Sequence, residues 1–200
     1  MKNICVYAGS NLGVRPQYKE HARQLGEEIV RQNLQLIYGG SRMGLMGELA
    51  NTVLALGGNV IGIMPKGLFI GEMAHQGITQ LIEVNDMHER KATMSEMADG
   101  FVALPGGYGT LEELFETLCW AQIGIHKKPI GLYNIEGYYN PLLVMMKQSI
   151  TEEFMNSNHF DLMVSSDNAA DLLQKMKQYI PPVLGNKWKQ LEQDNKYNRG

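Results

Sequence analysis

The chain has 200 residues, 44% of them hydrophobic and 20% charged, with a formal net charge of −3. That length and composition support a sizeable buried core in one domain and exclude disorder over most of the chain. With no basic excess, nucleic acid is not expected as a partner. Cys5 and Cys119 are the only cysteines, too few for a disulfide framework, and no Cys/His spacing marks a zinc or other metal site.

No apolar run approaches the roughly 20 residues of a membrane span, so no membrane partner is expected. The first strand begins so near Met1 that no room for a signal peptide is expected, which predicts a cytoplasmic protein. Glycine accounts for 22 of the 200 residues, above the usual ~7%, and the positions of those glycines carry the argument.

Residues 3–8 (N-I-C-V-Y-A) form an apolar run that stops at Gly9-Ser10-Asn11, the pattern of a buried strand. Pro16 opens a helix with Tyr18, Ala22, Leu25 and Ile29 on one face. A second strand spans 34–38 and closes at Gly39-Gly40; a helix through Leu45, Leu49, Val53 and Leu56 follows, then a third strand at 60–64. Residues 66–77 read as an irregular loop and 78–84 as a fourth strand. A helix from about Asp86 sets Met87, Met94 and Met97 near one face, and a fifth strand at 101–104 breaks at Pro105-Gly106-Gly107. Beyond it the pattern predicts a helix over 111–125, a strand at 130–133, a helix over 141–154, a short strand at 162–164 and a helix over 169–179. After Pro181-Pro182 the composition turns polar, so residues 1–180 read as the domain and 181–200 as a tail that is helical or frayed.

Strands and helices alternating in this way imply parallel pairing with helices on both faces of the sheet. The expected fold is a single-domain α/β fold with a doubly wound, Rossmann-like parallel sheet. Ligands bind such sheets beyond the carboxyl ends of the strands, and three glycine clusters, at 9–13, 39–47 and 106–109, fall at those ends.

The segment Pro105-Gly106-Gly107-Tyr108-Gly109-Thr110-Leu111-Glu112-Glu113 joins a strand to a helix. Its glycines leave backbone amides uncovered at a helix N-terminus, a site for an anion such as phosphate; the plainer reading is a tight turn. The loop Gly39-Gly40-Ser41-Arg42-Met43-Gly44-Leu45-Met46-Gly47 matches neither the dinucleotide fingerprint nor a P-loop. A ligand loop and close helix–strand packing both remain open for it.

Thr110 and Glu113 spell T-x-x-E, a capping box in which the Glu folds back onto the Thr110 amide. At a helix N-terminus the dipole favours an ionised Glu113, suited to a general base or to stabilising a cation, and this role does not exclude capping. Arg90 shares a helix face with Met87 and Met94, where it needs an anion or a carboxylate, although Arg90-Lys91 pairs usually lie on a solvated face. His88 reads as structural or exposed, Cys119 as a small core residue, and the methionines as core.

Taken together, G-G-S-R-M-G-L-M-G, M-H-E-R-K-A-x-M and P-G-G-Y-G-T-x-E-E closely resemble the Lonely Guy (LOG) family of cytokinin riboside 5′-monophosphate phosphoribohydrolases. Many of its members were once labelled possible lysine decarboxylases. The likeness covers about residues 2–180 and extends to Trp120-Ala121-Gln122, Gly124-Ile125-His126, Lys128-Pro129 and Gly137-Tyr138-Tyr139.

The resemblance implies a homodimer of Rossmann-like subunits that needs no cofactor. It implies hydrolysis of the N-glycosidic bond of N6-modified adenosine 5′-monophosphates to free base and ribose 5-phosphate. By motif match it makes Arg90 and Glu113 the catalytic pair, and Glu72, Arg90, Lys91, Gly106, Gly107, Tyr108, Gly109, Thr110, Leu111, Glu112, Glu113 and Cys119 the positions that bind the nucleoside 5′-monophosphate. Cys119 stands where plant members carry Thr, and Ser41 where many carry a third glycine; both departures bear on base preference.

In that chemistry the amides of 106–110 and the Thr110 hydroxyl hold the 5′-phosphate, while ionised Glu113 stabilises the ribosyl cation and takes a proton from water. Arg90 serves either the phosphate or the leaving purine. The decarboxylase label asks for a Schiff-base lysine, and none is evident in the sequence. A non-enzymatic nucleotide or cofactor carrier on the same fold is the alternative. Leu111, Leu114, Phe115, Leu118, Trp120 and Ile125 cover more than one helix face, which leaves apolar surface for a second copy.

Overall fold

The computed structural model describes residues 1–67 and 74–184. Seven strands form one sheet: β1 (Asn3–Tyr7), β2 (Gln35–Tyr38), β3 (Val60–Pro65), β4 (Gln80–Val84), β5 (Gly100–Ala103), β6 (Ile130–Tyr133) and β7 (Met163–Ser166). Their order is β4-β3-β2-β1-β5-β6-β7 and every pair is parallel. The expected α/β class is therefore what the chain forms. β1 lies between β2 and β5, so the winding reverses there and a crevice opens at the carboxyl ends of β1 and β5.

Six helices cover the sheet: α1 (Pro16–Arg31), α2 (Gly44–Ala55), α3 (Met87–Met97), α4 (Tyr108–Gln122), α5 (Asn140–Thr151) and α6 (Ala169–Lys177). Strand alternation decides which face each side chain feeds. Ile4 and Val6 of β1 point into a core with Leu25 and Ile29 of α1, Leu49 and Val53 of α2 and Leu172 of α6. Cys5 and Tyr7, one residue out of phase, point into the opposite core with Met94 of α3, Leu114 and Leu118 of α4 and Met146 of α5. All of these residues are nearly or wholly excluded from solvent, and burial of each large aliphatic side chain contributes about 1.5–3 kcal/mol.

Two boundaries differ from the periodicity in ways that bear on the site. The sequence places the helix after Pro105 over 111–125, yet α4 runs Tyr108–Gln122. Gly107 is its N-cap, and the Thr110 side chain packs on Gly106, where a Cβ would overlap its hydroxyl and crowd the Gly9 nitrogen. A residue without a Cβ at 106 lets the chain wind into helix immediately after the turn.

The methionine stripe of α3 is also only partly inward: Met94 is buried, Met97 is partly buried and Met87 is exposed. Side-chain capping does form, but on α3, with Asp86 as N-cap and Glu89 reaching back to the residue before Asp86. Asp86 accepts from the Glu89 amide at 2.8 Å, and Glu89 accepts from the Asn85 amide at 2.7 Å. At the end of the chain, 181–184 form neither helix nor strand, and the remaining tail lies outside the described residues.

Candidate active site

The carboxyl ends of β2, β3 and β5 meet the first turns of α3 and α4, and there the structure buries an ion pair. Arg90 is only 8% exposed. Its Nη1 donates to Glu113 Oε1 at 2.8 Å, and its Nε donates to the carbonyl of Ile63 in β3 at 3.1 Å. The guanidinium lies against Gly39, where an added Cβ would overlap Nη2. Glycine at the end of β2 is thus what lets Arg90 pass between strand and helix.

Glu113 belongs to the second turn of α4 and reaches across to α3, so the T-x-x-E capping reading does not hold. Its ionisation also departs from the expectation drawn from the helix dipole. Burial pushes the Glu113 carboxyl above its ordinary range, while the Arg90 cation and its hydrogen bond pull it back only in part. Beneath the pair, Thr117 donates its hydroxyl to the Glu113 carbonyl at 2.8 Å, and the Tyr7 hydroxyl meets the Thr117 oxygen at 3.0 Å. Since Thr117 spends its proton on Glu113, Tyr7 is the donor in the second bond. Burial holds the Tyr7 phenol well above its ordinary range, which keeps that proton in place.

Lys91 has a different use. Its Nζ lies 2.6 Å from Glu112 Oε1 and 2.9 Å from Glu116 Oε1, tying α3 to α4 toward solvent. These contacts raise the Lys91 ammonium above its ordinary range, the hydrogen bond to Glu112 most.

The glycine turn stands beside the ion pair. Gly9 donates to the Pro105 carbonyl at 3.0 Å, closing the crevice between β1 and β5. Among the described residues no side chain caps α4, which leaves the amides of Tyr108, Gly109 and Thr110 as open donors of a 15-residue helix. Open space surrounds Gly107 and Gly109 where side chains would stand, and Tyr108 is 94% exposed. Of two consecutive tyrosines, Tyr138 holds the turn, donating to the Gly106 carbonyl at 2.6 Å, while Tyr139 donates to the Leu104 carbonyl just after β5 at 2.5 Å.

The structure thus brings together Arg90, Glu113 and the 106–110 turn, with Lys91, Leu111 and Glu112 on the adjoining helix faces. Thr110 is buried and faces Gly106. Cys119 is exposed rather than part of the core, and it sits six residues, about 9 Å of helix rise, beyond Glu113. Glu72 lies outside the described residues. The loop at 39–47 resolves toward packing: a Cβ at Gly44 would overlap the Ser10 backbone and one at Gly47 the Arg42 carbonyl. Sequence reasoning did not single out Ile63, Tyr7 or Thr117; it met Gly39 only as part of the second glycine loop, without its place against Arg90, and Tyr138 and Tyr139 only within the wider resemblance. A strand phase that puts Tyr7 on the face of α4 was the one available signal for its part.

Comparison with known proteins identifies the family and the fold. A family model described as "Possible lysine decarboxylase" matches residues 46–176. A cytokinin riboside 5′-monophosphate phosphoribohydrolase of Arabidopsis thaliana is 46% identical over 180 residues, covering 90% of this chain and 83% of that protein. The rice (Oryza sativa subsp. japonica) enzyme named LOG is 43% identical over 180 residues, covering 90% of this chain and 74% of the rice protein. Among solved structures, the molybdenum cofactor carrier protein of Chlamydomonas reinhardtii superposes with a TM-score of 0.66 at 20% identity, covering 89% of this chain and 97% of that one; the likeness is one of fold. With the motifs, the strand-end ion pair and these relatives in agreement, the chain belongs to the LOG family of phosphoribohydrolases, the family whose model still carries the lysine decarboxylase description.

Proposed function

We propose that the protein hydrolyses the N-glycosidic bond of N6-modified adenosine 5′-monophosphates, such as cytokinin riboside 5′-monophosphates, releasing free base and ribose 5-phosphate. The observation that carries this reading is the buried Arg90–Glu113 pair beside an uncapped helix N-terminus at the strand ends. The amides of 106–110 receive the 5′-phosphate, which suits a fixed dianion better than a diffuse surface patch would. Breaking the C1′–N9 bond builds positive charge on the ribose. Glu113, ionised above its raised pKa, stabilises that charge and accepts a proton from the attacking water. Arg90, tied to β3 by its Nε, holds the carboxylate in place and offsets its charge until the cation forms. Glu72 and Cys119 complete the nucleotide site in this reading, with Cys119 bearing on the base.

The relatives named phosphoribohydrolases favour this chemistry over amino-acid decarboxylation. A Schiff-base lysine must lose its proton readily. Lys91, the lysine nearest the pair, is held by two carboxylates and keeps its proton more tightly than usual. The site therefore does not fit pyridoxal phosphate. The carrier reading rests on fold likeness alone.

A homodimer accords with the exposed Phe115, Ile123 and Ile125 on and just after α4, apolar surface that a second copy would cover. Light scattering is expected to give twice the 22.4 kDa chain mass. Two free cysteines accord with a reducing, cytoplasmic setting. The deciding experiment measures ribose 5-phosphate release from AMP and from isopentenyladenosine 5′-monophosphate, with Glu113→Gln alongside. Release that disappears in the variant supports the proposal. No release from either nucleotide by the wild type overturns it.

A further inference from the structure

Tyr138 is a half-exposed tyrosine whose hydroxyl points inward. It follows a short 3-10 turn over Ile135–Gly137 after β6. The turn is held by Asn134, which accepts from the Tyr139 amide at 2.7 Å and donates to Asn140 at 2.8 Å. Edge-on contacts with Tyr18 of α1 (6.0 Å between centroids) and with Tyr139 (4.9 Å) fix the Tyr138 ring. A Cβ at Gly13 would crowd the Tyr18 ring, so the loop after β1 closes directly over this stack. The hydroxyl so positioned donates to the Gly106 carbonyl at 2.6 Å.

The consequence lies on the other side of that peptide bond. In a trans peptide the C=O of one residue and the N–H of the next point in opposite directions. With the Gly106 carbonyl held by Tyr138, the Gly107 N–H faces away from the Tyr138 hydroxyl, and a Cβ at Gly107 or Gly109 would meet no atom within 4 Å. A hydrogen bond accepted at the oxygen also polarises the peptide and strengthens its N–H as a donor.

We propose that Tyr138 is a positioning residue for phosphate recognition: its hydroxyl locks the Gly106–Gly107 peptide so that the Gly107 amide joins the first amides of α4 in holding the 5′-phosphate of the nucleotide. This rests on the phosphate site proposed above. Tyr139, one residue on, holds the Leu104 carbonyl inside the core and serves the strand rather than the ligand. The two tyrosines therefore make a matched pair for testing.

The experiment follows AMP hydrolysis by the wild type, Tyr138→Phe and Tyr139→Phe, with inorganic phosphate and adenine each added as competitor. Losing one hydrogen bond to an anion-binding turn is expected to raise the KM for AMP and the inhibition constant of phosphate by roughly three- to tenfold in Tyr138→Phe. In the same variant kcat stays within about threefold and the inhibition constant of adenine is unchanged, because the change removes binding remote from the reacting bond. Tyr139→Phe leaves the phosphate constant as in the wild type. Phosphate and adenine weakening together, or phosphate weakening equally in both variants, marks a structural role and overturns the proposal, as does no change in Tyr138→Phe. Failure of the parent reading has its own signature: phosphate then does not compete with AMP in the wild type.

Discussion

Two ionic contacts join α3 to α4 from neighbouring positions on each helix, and they do opposite things. Arg90 and Glu113 are both about nine-tenths buried, with the guanidinium held also by a strand carbonyl. Lys91 meets Glu112 and Glu116 at comparable distances, but Glu112 stands half in water. Lys91 itself is 14% exposed and Glu116 27%, so only the Glu112 end is open to water; fully exposed pairs contribute about 0–1 kcal/mol. A buried pair costs desolvation on both sides, and breaking it by removing one partner typically costs about 3–5 kcal/mol. One residue of helix rotation thus separates a buried pair from a tie that opens to solvent at Glu112. An Arg-Lys dipeptide followed 22 residues later by Glu-Glu reads almost symmetrically as sequence; burial breaks the symmetry.

The strongest test of that contrast is Glu113→Gln, which removes the charge and keeps the shape. Turnover is expected to fall by roughly 10²–10³, measured as ribose 5-phosphate release. Its melting temperature at neutral pH is expected to change little: Arg90 loses its counter-charge, but the Gln carbonyl still accepts from Nη1 and the desolvated carboxylate is gone. The folded-state pKa of Glu113 lies above its unfolded value, so this group's contribution to stability is fullest at low pH and is lost as pH rises through the raised pKa. A neutral Gln escapes that loss.

Arg90→Gln leaves the carboxylate buried without its cation. Stability at pH 7 is expected to drop by about 3 kcal/mol or more, with the deficit narrowing in acid as Glu113 protonates. Because Arg90 lowers the pKa of Glu113, which burial raises, any residual activity of this variant should show its acid limb at higher pH than the wild type. A pH–rate profile with an unmoved limb would separate the limb from Glu113.

Gly39→Ala tests the pair from the strand side. The new methyl overlaps Arg90 Nη2, and the guanidinium can retreat only by giving up Glu113 or the Ile63 carbonyl. The expected result is a rate loss of about tenfold or more with a stability cost of about 1–3 kcal/mol. The smallest effect belongs to Lys91→Met. Its tie opens to solvent at Glu112 and no strand carbonyl holds it, so the melting temperature should move less than in the Arg90 variant, and KM for the nucleotide is the parameter to watch.

Much of this was legible in the chain. The apolar runs at β1, β2, β3 and β5, each ending in glycine or proline, required strands whose carboxyl ends share one edge of the sheet. The three motifs marked out Arg90 and Glu113, which the fold brings within hydrogen-bond distance of each other. The T-x-x-E signature misled because spacing cannot show that Thr110 packs on Gly106 and that α4 therefore begins three residues earlier. Cys119 misled for a related reason: hydropathy assigns a small sulfur residue to the core, while the helix phase turns it outward.

Sequence alone determined the order of elements, the sheet class and the residues that could carry the chemistry, because those follow from local periodicity and from side-chain type. Tertiary structure decided the rest: that Arg90 meets Glu113 while Lys91 meets Glu112 and Glu116, that Gly39 admits the guanidinium, and that Tyr138 turns the Gly106–Gly107 peptide. Each of these is a meeting of groups distant in the chain, and burial, which sets the charge state of Glu113, exists only once the helices have packed on the sheet.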